Sequence, residues 1–175
     1  MGGRMHTFRT AATGSLAVAS LSLAACGSAE TDTLETGDGQ EARYTIATNS
    51  DDSSISIDGK DGAKIDIDAG EDVAVDLPEG FSLYPRARAV SSTRMQQSDG
   101  SGLLLVLESD ASPEALVRFY REQAEGVGIV IDTEMKSAGS TMIQGQSTDG
   151  RIFSFNASTS GENSIGQLLV GRDGR

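Results

Sequence analysis

The chain of 175 residues holds one histidine, one cysteine and no tryptophan, and only 5% of its residues are aromatic. Each shortage removes a class of chemistry. A single cysteine cannot close an intramolecular disulfide, so stability has to come from packing. The lone histidine, His6, lies near the N-terminus. Beyond it a Ser-His-Asp triad, a Cys-His pair and a histidine zinc site are all excluded. With no tryptophan and three tyrosines, there is little to stack a sugar against a carboxylate pair. No enzymatic activity and no cofactor are expected. Long apolar runs are missing as well. Residues 11–25 are the most apolar stretch, but Ser, Thr and Gly interrupt them. They fall short of the ~20 residues that a membrane-crossing helix needs.

That stretch reads as a secretory signal. Arg4, His6 and Arg9 form a basic start, Leu16 to Leu23 an apolar middle, and Leu23-Ala24-Ala25-Cys26 a small-residue end. The last four residues resemble the lipobox of bacterial lipoproteins. The resemblance implies cleavage between Ala25 and Cys26 and acylation of Cys26, which becomes the first residue and the point of membrane attachment. Two or three acyl chains, each contributing ~0.8 kcal/mol per buried methylene, anchor firmly where one is marginal. The implied location is extracytoplasmic: lipid-anchored to a bacterial membrane, on the periplasmic side of the outer or inner membrane. Cleavage takes away His6, Arg4 and Arg9 but none of the 26 acidic residues, moving the net charge from −12 to −14. Such a surface repels nucleic acid and anionic lipid headgroups, so no nucleic-acid partner is expected.

Composition divides the remainder. Residues 26–43 are rich in Gly, Ser, Thr, Asp and Glu, with Leu34 the only sizeable apolar side chain. They read as a flexible tether with a root-mean-square reach of roughly 25 Å. Residues 44–77 alternate apolar and polar, as in Ile55-Ser56-Ile57-Asp58 and Ile65-Asp66-Ile67-Asp68. Period two over short runs predicts half-buried strands. Gly59-Lys60-Asp61-Gly62 supplies a hairpin turn between two of them, and Ile55, Ile57, Ile65 and Ile67 should share one face. This small β-meander has a thin apolar side and is expected to lean on another surface.

Residues 78–175 predict an α+β domain. Ala87 to Gln97 and Leu103 to Leu107 read as strands, the second apolar enough to be covered on both faces. Ser112 is a good N-cap, with Pro113 at the first helical position and Glu114 at the positive dipole end. Leu116, Phe119, Tyr120, Ala124 and Val127 make an apolar stripe, and Gly126 or Gly128 ends the helix. Strands resume at Ile129 to Ile131, at Ser140 to Ser147, at Arg151 to Ser158 and at Ser164 to Val170, with Asp149-Gly150 as a hairpin signal. The expected fold is α+β: an antiparallel sheet with one helix on one face, in the order β-β-α-β-β-β, preceded by the meander.

Leu77, Pro78, Gly80, Phe81, Leu83, Tyr84, Pro85 and Ala87, then Asp110, Ser112, Pro113, Glu114, Phe119 and Tyr120, resemble the pattern of a small domain in uncharacterised envelope lipoproteins. In that pattern Arg86 stands where Gly is frequent and Ala115 where a second Glu is common. The resemblance implies a fold and transfers no catalytic residue.

The acidic region Asp51 to Asp76 is the candidate site. Its glycine turns could make a cation or small-solute binding module, with Asp58, Asp61, Asp66 and Asp68 as the side chains a cation would use. EF-hand spacing fails from Asp66, because Gly70 and Glu71 occupy the fifth and sixth positions. If Ile65 and Ile67 point inward, Asp66 and Asp68 point to solvent, and no resident metal is assigned. Arg86, Arg88, Arg94 and Arg151 are the side chains that a basic patch on the sheet would draw on. The function expected is that of a membrane-anchored envelope lipoprotein with a structural or protein-interaction role, meeting an envelope protein partner through its sheet face.

Overall fold

A computed structural model describes residues 28–35, 41–59 and 62–174. The expected α+β order is overturned. Among the described residues the protein is mainly β: one antiparallel sheet of ten strands, with a single helix packed on one side. The strands are β1 (Ser28–Glu35), β2 (Glu41–Thr48), β3 (Asp52–Asp58), β4 (Lys64–Gly70), β5 (Arg88–Gln97) and β6 (Gly100–Ser109), then β7 (Val130–Ser137), β8 (Ser140–Gln146), β9 (Arg151–Ser160) and β10 (Asn163–Asp173). The helix α1 (Pro113–Gly126) joins β6 to β7. Spatial order is β1-β2-β3-β4-β5-β6-β10-β9-β8-β7. The chain runs as a meander to β6, crosses in α1 to the far edge, and returns strand by strand until β10 pairs with β6.

Two features produce the difference in fold class. The meander joins the rest edge to edge: its last strand hydrogen-bonds along β5, from Lys64 opposite Gln96 to Ala69 opposite Ser91, and Val73, Val75 and Leu77 after it pack against the buried core. Residues 28–35, read from composition as tether, pair with all of β2. Backbone ladders formed these strands without side chains to bury, which is why composition did not show them.

The helix begins as its cap predicts. The Ser112 hydroxyl accepts from the Ala115 N–H at 3.3 Å, and Pro113 occupies the first turn. Leu116, Val117, Tyr120 and Ala124 are its buried residues, while Phe119 and Val127 pack at the margin. Arg121 reaches across to Glu134 on β7 at 2.6 Å. The core is the layer between α1 and the sheet: Leu105 and Leu107 of β6, Ile143 of β8, Phe155 and Ala157 of β9 and Leu168 of β10 are fully buried. Tyr120 lies 4.3 Å, centroid to centroid, from Phe155. The segment before β5 closes the same layer. Phe81 stacks on Phe153 at 5.9 Å, and Tyr84 meets Phe119 edge-on at 5.0 Å. Burial raises the Tyr120 hydroxyl to a pKa of about 12; it accepts from the Tyr84 N–H at 3.3 Å.

Among the described residues Leu103 to Leu107 is covered on one face only. Leu103, Leu105 and Leu107 are buried under the helix layer, while Leu104 and Val106 are half-buried on the other side. At the edge, β7 carries a bulge between Ile131 and Thr133. Gly145 makes room for it: a Cβ there would lie 2.3 Å from the Val130 carbonyl oxygen. The bulge, with Glu134 and Lys136, blunts an edge that could otherwise pair with another chain.

Candidate functional site

Register places every strand residue on one of two faces, and charge separates them. The row Ile46–Ile55–Ile67–Thr93–Leu104–Leu169–Ser154–Gln144 runs from β2 to β8 on the face away from α1. A second row contains Tyr44, Ile57, Ile65, Met95 and Ile152, and a third Ala69, Val106 and Met142. From β2 to β8 none of these three rows carries a charged side chain, in a chain that is 23% charged. Arg88 and Glu108, paired at 3.0 Å, bound this face at one end. Ile152 is 45% exposed on it, and Val130 and Met135, 68% and 57% exposed, extend it onto β7. Eight strands span about 34 Å and three rows about 14 Å, a footprint on the order of 500 Å².

The charges of β3 and β4 lie on the opposite face. Asp58 is opposite Lys64, Asp66 opposite Arg94 and Asp68 opposite Ser92. Ile55 and Ile57 pair with Ile67 and Ile65, so the four isoleucines share a face as their alternation predicts. Asp66 accepts from the Ser56 hydroxyl at 2.6 Å and pairs with Lys64 at 3.0 Å. The Ser56 bond, reinforced by Lys64, holds its carboxyl below the ordinary range. Among the described residues no three side chains of metal-ligating type gather closely enough to hold a cation. Asp61 lies outside the described residues, as do Ala25 and Cys26. No described helix is long and apolar enough to cross a membrane.

A second feature sits on the helix side, where β5, β6 and β10 run past the end of α1. A cleft of ≈ 610 Å³ opens there, lined by Leu77, Phe81, Leu103, Val127 and Val170 together with Arg94, Arg151 and Arg172. Of the four arginines a basic patch would draw on, two meet here. Arg88 is on the far face, and Arg86 pairs with Asp110 at 3.5 Å. Arg172 was not foreseen; following the alternation of β10 two residues past Val170 would have found it. Arg172 stands directly opposite Arg151 across the β9–β10 ladder. Like charges at such a position repel. The Asp149 carboxylate relieves the repulsion, its Oδ2 accepting from both guanidiniums at 3.1 Å. Asp149 is held below the ordinary range first by the Ser147 hydroxyl, then by Arg151 and Arg172. Arg94 donates to the Asp76 carbonyl at 2.8 Å and Arg151 to the Val127 carbonyl at 2.9 Å. The two bonds tie the arginines to backbone of the cleft lining.

Compared with protein-family models, with curated proteins and with solved structures, the chain matches none.

Proposed function

We propose that the protein is a lipid-anchored, non-catalytic interaction module of a bacterial cell envelope, held at the membrane through Cys26 and meeting a partner protein through the sheet face away from α1. The observation that carries the interaction is the charge-free field of three rows across eight strands. A solvated sheet face ordinarily alternates hydrophobic-in with charged or polar-out. Here the N-terminal strands do the reverse on the open side, turning Ile55, Ile57, Ile65 and Ile67 outward and sending Asp58, Asp66 and Asp68 to the other face. Interface cores are depleted of charge, and exposed patches of a few hundred Å² mark interaction sites. The partner that fits presents an uncharged, apolar face of its own, packed about 10 Å away as in stacked sheets. The anchor rests on the Leu23-Ala24-Ala25-Cys26 motif.

Adjacent residues give the test. A photo-crosslinking side chain at position 67 in intact cells should trap a protein, while the same group at position 68, on the other face, should not. Equal trapping from both positions, or from neither, removes the reading. An adduct of twice the chain's own mass would identify the partner as a second copy. The anchor is tested separately: fatty-acid label should enter the wild type and be lost in Cys26→Ala.

A further inference from the structure

We propose that the arginine-rimmed cleft beside the C-terminal end of α1 binds a small amphipathic carboxylate, an apolar body carrying one acid group. Register puts Arg94, Arg151 and Arg172 on the side of the sheet opposite the charge-free face, and this inference is argued from those arginines and not from the interaction proposed above. At ≈ 610 Å³ it falls in the range of small-molecule sites, about 300–1,000 Å³. Its floor is apolar and preformed: Leu103, Val170 and Phe81 are 3%, 5% and 9% exposed. Three arginines line it in an acidic chain, alongside the carboxylates of Asp76 and Glu79. Arg94, Arg151 and Arg172 reach it with side chains 38%, 33% and 54% exposed.

The geometry selects a carboxylate. Two guanidiniums on neighbouring strands already aim N–H groups at one carboxylate oxygen, that of Asp149. A guanidinium has five donors, and Arg172 gives one to Asp149. Arg94 meets the Asp76 carboxylate only at 3.8 Å, and that side chain is 91% exposed. A ligand acid group can therefore enter between Arg94 and Arg172 without breaking a short internal ion pair, while its apolar part lies on Leu103 and Val170. Forked N–H pairs are matched to carboxylates.

Calorimetric titration of the full chain with decanoate tests the proposal, with decanol and acetate as separate probes of tail and head. Decanoate should bind at one site, and the other two should give no saturable heat. Arg94→Gln and Arg172→Gln should each weaken decanoate about tenfold, the loss of a charge-assisted hydrogen bond. Arg86→Gln, outside the cleft, should leave it unchanged. Gly126→Phe offers a block by volume. A Cβ at Gly126 meets nothing within 4 Å, so the ring can fill the cleft without disturbing the fold; binding should vanish while the melting temperature holds. Absence of decanoate binding to the wild type, equal binding of decanol, or full binding by both arginine variants would each overturn the proposal.

Discussion

The two halves of the sheet are built from the same alternation and are stabilised in different ways. In β5–β10 one face lies under α1 and the segment around Phe81, and every fully buried large side chain belongs to this half or its cover. Over β1–β4 no helix packs on either face among the described residues; Ile55, Ile57, Ile65 and Ile67 are only half-buried. The ladder from β4 to β5 joins the halves. Alternation therefore specifies that a strand has two unlike faces. Whether the apolar face becomes a core depends on what the chain later lays over it.

The largest expected effect sharpens this contrast. Phe155→Ala removes a fully buried ring from against Tyr120 and should cost ~3–5 kcal/mol in urea unfolding. Ile67→Ala, on the open face, should cost about 1 kcal/mol, since only part of its surface is withdrawn from water. Equal costs would mean that the N-terminal strands have a cover after all. A truncation makes the next test. The buried core begins at Phe81, with Val73, Val75 and Leu77 as its nearest upstream contacts. A chain starting at residue 71 should still unfold in one cooperative step, followed by circular dichroism. Loss of that step would show that the halves fold as one unit.

The same contrast explains what the sequence disclosed. The helix was legible almost to the residue, because Ser112, Pro113 and an apolar stripe are local signals that agree with one another. The shared face of the isoleucines was legible too, since a side-chain period of two puts Ile55, Ile57, Ile65 and Ile67 on the same side of their strands. The single ten-stranded sheet was not. Edge-to-edge joining of β4 to β5 is made by backbone groups, which every residue carries. The strand at residues 28–35 is made of tether-like residues for the same reason. The cleft lay in between: Arg94 and Arg151 could be named from sequence, but their meeting with Arg172 depends on a β10–β9 register that pairs residues 21 apart.

At the joint between the halves, Arg86 is the only described non-glycine residue with positive φ, at 66°. It precedes β5. A left-handed backbone costs roughly 1–2 kcal/mol for a residue with a Cβ. The surface ion pair to Asp110, between side chains 82% and 60% exposed, returns little. Arg86→Gly should therefore stabilise the protein by about 1 kcal/mol. The gain should appear in thermal unfolding of both the full chain and the residue-71 truncation. A gain confined to the full chain would place the strain in the contact between the halves.

The smallest expected effect is a pH dependence shared by the two halves. Asp66 in β4 and Asp149 in the β8–β9 turn both have carboxyls held below the ordinary value of 3.8, each mainly by a serine hydroxyl and then by cations. A lowered folded-state pKa means that the unfolded chain takes up its proton first on acidification. The stabilisation is therefore fully present above 3.8 and is lost as pH falls through the depressed value. Asp149→Asn and Asp66→Asn should each lower the melting temperature slightly at neutral pH and flatten its decline as the pH falls below 3.8. The two variants should differ in what flattens. Asp149 ties down Arg151 and Arg172 beside the helix-covered core, so its loss should appear in the main unfolding transition. Asp66 braces an uncovered ladder, so its loss should appear first as faster amide exchange in β3 and β4, before global unfolding changes. Identical signatures from both variants would mean that the open strands share fully in the cooperativity of the covered ones, and that the covering layer is not what sets stability along this sheet.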